Sequence, residues 1–148
     1  MVLDPALVGR SYPPSAVYEG GRQKIAEFAD AIGAADPVHR DAEAARAAGH
    51  PDVIAPPTFA IVVSLEAAID VLGDPEVGLD YSRVVHGDQK FTHHRPIRAG
   101  DRLISSPTID GARTVAGNDL LTTRVDVATE AGEPVCSASS MLVARGTA

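Results

Sequence analysis

Three histidines in the second half of the chain, His86, His93 and His94, are of a type that can hold a metal ion or move a proton. Their spacing argues against a shared ion, because His93 and His94 are adjacent and neighbouring residues of a strand point to opposite faces. With a single cysteine and no helical His-x3-His pair, no metal site is expected. Cys136 reads as a small buried core residue. Alternation divides this stretch into one row of His86, Asp88, Lys90, Thr92 and His94 and another of Gly87, Gln89, Phe91 and His93. Lys90, Arg95, Arg98 and Arg102 outnumber Asp88 and Asp101 here, against an overall charge of −7. Such a patch suits phosphate groups or an acidic protein face, and equally an edge strand that uses charge to block further pairing. Ser64, Ser137, Ser139 and Ser140 lack a Gly-x-Ser-x-Gly setting, and Gly20-Gly21 lacks the rest of a phosphate loop. Serine hydrolysis and phosphate-loop chemistry are therefore not indicated.

The elements that must position these side chains divide unevenly, helix-like before about residue 73 and strand-like after about residue 80. Before it, Ile25, Phe28, Ala29 and Ile32 recur at helical spacing between Gly20-Gly21 and Gly33. Residues 41–48 predict a short second helix stopped by Gly49. Residues 56–72 form the longest apolar stretch, broken only by Glu66 and Asp70, and predict a nearly buried helix entered through Pro56-Pro57. After residue 80, turn signals at residues 96–100, Asp110-Gly111, Gly117-Asn118-Asp119 and Ala131-Gly132 predict an antiparallel meander. Leu121, Thr123, Val125 and Val127 face one way there and Thr122, Arg124 and Asp126 the other. Val135, Ser137, Ser139, Met141 and Val143 alternate in the same manner. The layout is α+β, a curled antiparallel sheet wrapped around one long central helix, the hot-dog arrangement.

A chain of 148 residues fits one domain, residues 1–148, with a core of its own. The acidic balance excludes nucleic acid or an anionic membrane as the main partner. With no long apolar run and no charged leader, a cytoplasmic location is expected.

Two motifs carry a resemblance over essentially the whole chain. The first is Gly33-Ala34-Ala35-Asp36-Pro37-Val38-His39 with the run from Ala48 through His50-Pro51-Asp52 to Pro56-Pro57-Thr58-Phe59. The second is His86-Gly87-Asp88-Gln89-Lys90-Phe91, followed by His94-Arg95-Pro96-Ile97 and Ala99-Gly100-Asp101. Together they resemble the MaoC-like family of (R)-specific enoyl-thioester hydratases. Within that family the chain resembles an actinobacterial branch of FAS1-like dehydratases and UPF0336-type proteins, similar to the A and C subunits of mycobacterial (3R)-hydroxyacyl-ACP dehydratase. The resemblance implies a dimeric hot dog that binds an acyl-CoA or acyl-ACP thioester along its central helix. It implies addition or removal of water at the acyl 2,3 bond, without a cofactor.

In active relatives the signature reads Gly-Asp-x-Asn-Pro-apolar-His, the aspartate and histidine serving as acid and base. Here the aspartate position is Ala34, the asparagine position Asp36 and the histidine position His39. A glycine at the helix mouth, whose N–H stabilises the thioester enolate, corresponds to Pro57, which has no N–H. His39 is thus the candidate acid-base residue, and Asp36 the candidate relocated carboxylate, although Asp before Pro also fixes turns. Pro56, Thr58 and Phe59 are candidate substrate contacts at the mouth, with Arg95 and Arg98 for carrier phosphates. Three functions follow from this pattern. The chain is the acyl-binding subunit beside a catalytic hot-dog subunit, or a self-sufficient homodimeric hydratase using His39 and Asp36, or a non-catalytic acyl-thioester binder.

Overall fold

The computed structural model describes residues 3–146. A two-residue strand, β1 (Tyr18–Glu19), leads through Gly20-Gly21 into α1 (Arg22–Ile32). Gly20 lets two backbones approach: its N–H donates to Asp101 O at 2.8 Å, its carbonyl accepts from Gly100 N–H at 2.9 Å, and a Cβ would lie 3.1 Å from Arg98 O. Helix α1 ends at Gly33 in the left-handed conformation, φ 73°, which glycine adopts without steric cost. Asp41 caps α2 (Ala42–Ala47) by accepting the Glu43 N–H.

Residues Pro57–Phe59 form a 3-10 turn that runs directly into α3 (Ala60–Leu72). The helix buries Ala60, Val63, Ser64, Ala67 and Val71 but leaves Leu65 and Ile69 half exposed, at 50% and 51%. Sequence predicts near-complete burial; instead the sheet covers one side of α3 and an apolar stripe remains open on the other.

The sheet comprises β1, β2 (Val84–His93), β3 (Arg102–Val115), β4 (Asn118–Thr129) and β5 (Pro134–Ala144), all antiparallel, in the order β1-β3-β4-β5-β2. As expected, residues 96–100 and 131–132 make turns; the turn expected over Gly117-Asn118-Asp119 falls at Ala116-Gly117, and Asn118 and Asp119 already belong to β4. Asp110-Gly111 makes no turn: it lies inside β3, where the register slips between Ile109 and Gly111, a bulge that curls the strand rather than ending it. On β4, Leu121, Thr123, Val125 and Val127 all face inward and are buried. On β5 a second register shift buries Val135 and Cys136 together and turns Ala138, rather than Ser137 and Ser139, toward the core. The main core joins Ile25, Phe59, Val63, Leu103, Val125 and Val127. A smaller cluster of Leu3, Leu7, Val71, Ile109 and Leu121 sits under the N-terminal segment.

Candidate active site

The first signature motif is held by two local devices. Asp36 Oδ1 accepts the Val38 N–H at 3.0 Å and caps the 3-10 turn Pro37–His39, the turn-fixing role open to Asp before Pro. Arg40 reaches back to Asp30, at 2.6 and 3.0 Å, and to the Asp36 carbonyl at 3.2 Å, pinning residues 34–36 against α1. The Val38 carbonyl then accepts the Ile54 N–H at 3.0 Å. This zips the turn onto residues 53–55, which also bond to Ile97 and Ala99. Both signature motifs therefore meet across the short strut of residues 53–55.

At the end of that turn, His39 Nδ1 lies 2.7 Å from the Ile54 carbonyl. A carbonyl only accepts, so Nδ1 carries the hydrogen, and in the neutral ring Nε2 keeps its lone pair. His39 is half-buried and lines a cavity of about 390 Å³ with Ile54, Ala55, Pro57, His93 and Pro96. His94 and Arg95 complete the lining, and among the described residues no carboxylate does. Asp36 is exposed and its carboxylate faces its own turn. The structure thus brings His39 and His93 to one cavity and leaves Asp36 outside it. His93 Nε2 donates to the Pro57 carbonyl at 2.9 Å, holding β2 to the helix mouth.

At that mouth the Phe59 N–H is spent on the Pro56 carbonyl at 2.9 Å. The Thr58 N–H has no acceptor among the described residues, and Thr58 is exposed. Phe59 is fully buried, its ring edge-on to Phe28 at 5.4 Å and to Tyr18 at 6.4 Å. It supports the mouth from the core side, and Pro56 is buried with it.

Two of the four basic side chains of this stretch, Arg95 and Arg102, are paired with acids. Arg95 makes a two-pronged pair with buried Asp101, both contacts 2.9 Å, and donates to Glu133 at 2.5 Å. These partners raise the Arg95 pKa above its ordinary value despite the opposing effect of burial. Arg102 pairs with Glu130 at 2.7 Å and with Glu19. Asp101 also accepts the Arg98 N–H at 2.9 Å, so Arg95 builds the turn that carries Arg98. The Arg98 side chain has no carboxylate partner among the described residues.

Sequence reasoning missed the second cavity, about 430 Å³, between the open stripe of α3 and the inner faces of β2, β4 and β5. Ile61, Leu65, Ile69, Val125, Ala138 and Leu142 make its wall mostly apolar. His86, Gln89 and Ser140 form a hydrogen-bonded polar group in it, and Ser64, Tyr81 and Thr123 also line it. Strict alternation separates His86 from Gln89, but the register shift between His86 and Asp88 brings both inward. A glycine within a strand, here Gly87, is the signal that marks such a bulge.

A curled sheet around one helix, with a histidine turn at the helix mouth and an apolar cleft along the helix, defines the hot-dog dehydratase class. Comparison with known proteins agrees. The family model "FAS1-like, dehydratase domain region" matches residues 6–138, and the chain belongs to that family. The UPF0336 protein of Saccharopolyspora erythraea is 60% identical over 148 residues, covering 100% of this chain and 95% of that protein. A MaoC-like dehydratase superposes with a TM-score of 0.88 at 33% identity over 96% of this chain, which corresponds to only 43% of that larger chain. The Mycobacterium tuberculosis HadBC (3R-hydroxyacyl-ACP dehydratase) complex superposes with a TM-score of 0.83 at 29% identity, over 93% of this chain and 96% of that one.

Proposed function

We propose that this chain is the acyl-chain-binding subunit of a (3R)-hydroxyacyl-thioester dehydratase, working beside a second hot-dog chain that supplies the missing carboxylate. The observation that carries this reading is the His39 cavity: His39 with its Nε2 unpartnered among the described residues, His93 and His94 beside it, and no carboxylate among the lining residues. Dehydration moves a proton at carbon 2 while the hydroxyl at carbon 3 needs a proton to leave, a pair of roles that the family signature gives to an aspartate and a histidine, and here the aspartate is missing. In this reading His39 holds one of those protons, and Asp36 contributes by fixing the turn. The helix mouth formed by Pro56, Thr58 and Phe59 receives the thioester, with the Thr58 N–H as donor to its carbonyl oxygen. Arg98, on the turn that Arg95 and Asp101 build, meets the carrier's phosphates. The similar HadBC (3R-hydroxyacyl-ACP dehydratase), itself a complex, supports an assembly of this kind.

The test is turnover of crotonyl and longer enoyl thioesters, both CoA- and ACP-linked. The purified chain alone should be inactive, and a hot-dog partner with an intact Asp/His pair should restore hydration. Within that complex, His39→Ala should lower kcat by about 10²- to 10⁴-fold if His39 transfers a proton. Substantial turnover by the chain alone would overturn the subunit reading in favour of a self-sufficient homodimer.

A further inference from the structure

The polar group in the α3 cleft has an incomplete hydrogen-bond set. Gln89 Oε1 accepts from Ser140 Oγ at 2.5 Å and from His86 Nε2 at 3.1 Å. The Gln89 Nε2 amide is buried and has no partner among the described residues. Buried polar atoms are nearly always paired, and one left bare carries its full desolvation penalty. If the amide is turned over, Nε2 faces Ser140 and His86 and the oxygen becomes the bare atom. Either way one amide atom is left over, and the terminal torsion of glutamine is soft enough to turn it toward the cleft. Around it the walls are mostly aliphatic: Ile61, Leu65 and Ile69 from the helix, Val125, Ala138 and Leu142 from the sheet, with Ser64, whose hydroxyl is spent on the Ala60 carbonyl, and Thr123 among them.

We infer that this cleft selects an aliphatic chain bearing a hydroxyl group deep along its length, with Gln89 as the residue that reads it. This rests on the acyl-binding reading and adds the chemical class of chain. A saturated chain filling the cleft leaves the amide bare. A hydroxyl both donates and accepts, so it completes the set in either orientation of the amide, whereas a keto oxygen completes only one. The hydroxyl in question is distinct from the one at carbon 3. Gln89 lies four residues before His93 on β2, which places the reading point about 13 Å from the His93 end of the strand, where the His39 cavity lies.

The test is calorimetric titration of the full chain with dodecanoic acid and with hydroxydodecanoic acids carrying one hydroxyl at each position in turn. One or two adjacent positions far from the carboxyl should bind about tenfold tighter than the parent acid. The matching keto acid should gain less. Gln89→Leu should abolish that preference while binding the parent acid at least as tightly, which also shows that the variant is folded. Equal binding of all the acids, or a preference that survives Gln89→Leu, would overturn the inference and leave the acyl-binding reading standing. Failure of every acid to bind would overturn both.

Discussion

The tautomer of His39 is set by one carbonyl. Ile54 O fixes the hydrogen on Nδ1, and Ile54 is in turn held by Val38 and bridged to Arg98, so the free Nε2 is a consequence of how the two motifs are tied together. Asp101 does the tying on the far side: it is buried and accepts from both Arg95 nitrogens and the Arg98 N–H. Asp101→Ala leaves the Arg95 charge with Glu133 alone in a mostly buried site. It should lower unfolding stability by about 3 kcal/mol, read from the urea midpoint. Asp52, in the first motif, is held down to about 2 by hydrogen bonds from Arg22, at 2.9 and 2.7 Å, helped by the Val53 N–H. Its folded pKa lies below the unfolded value near 4, so its contribution is complete above that value and is lost as the pH falls toward 2. Asp52→Asn should therefore flatten the acid side of the stability profile in that window and leave its slope unchanged near neutrality.

The apolar stripe of α3 is an element-scale property that no single residue announces. Hydropathy alone marks residues 60–72 as a buried helix, but which side stays open depends on how far the sheet curls, and that is set by bulges at Gly87, Asp110 and Val135. The elements were legible because their stops are local: Gly33 after α1, Gly117 and Gly132 between strands, Asp41 before α2. The alternation of β4 was legible because the strand has no bulge between Leu121 and Val127. The inward turn of His86 and the outward turn of Ser137 were not, because a one-residue slip reverses every side chain beyond it. The neutralisation of Arg95 and Arg102 was hidden for another reason: Glu133 and Glu130, around the β4–β5 turn, and Glu19, on β1, are all distant in sequence. The open stripe gives a direct prediction. Leu65→Glu replaces a half-exposed side chain, so stability should change by no more than about 0.5 kcal/mol. Binding of a dodecanoyl thioester should nonetheless weaken at least about tenfold, because a carboxylate would have to be desolvated in an aliphatic cleft.

At the scale of the whole molecule, two surfaces ask for cover. Strand β2 ends the sheet, so its outer backbone groups have no sheet partner among the described residues. Leu65, Ile69, Tyr81 and Val85 are exposed beside it. An unpaired edge next to an apolar stripe is where another chain adds most readily. The charges along β2 shape that choice without deciding it, since Asp88 and Lys90 on the outer row are of opposite sign while the chain as a whole is acidic. A partner that covers both surfaces binds the folded chain and not the unfolded one, so it must raise the apparent stability. At a hundredfold excess over Kd the gain is about 2.7 kcal/mol, which for a chain of this size moves the thermal midpoint up by about 5–10 °C. Adding a catalytic hot-dog partner should produce that shift, and Leu65→Glu should diminish it if the stripe is part of the contact. If the shift instead appears on raising the concentration of this chain alone, the covering chain is a second copy. That outcome would count against the subunit reading, since a second copy brings no carboxylate to the His39 cavity from the same lining residues.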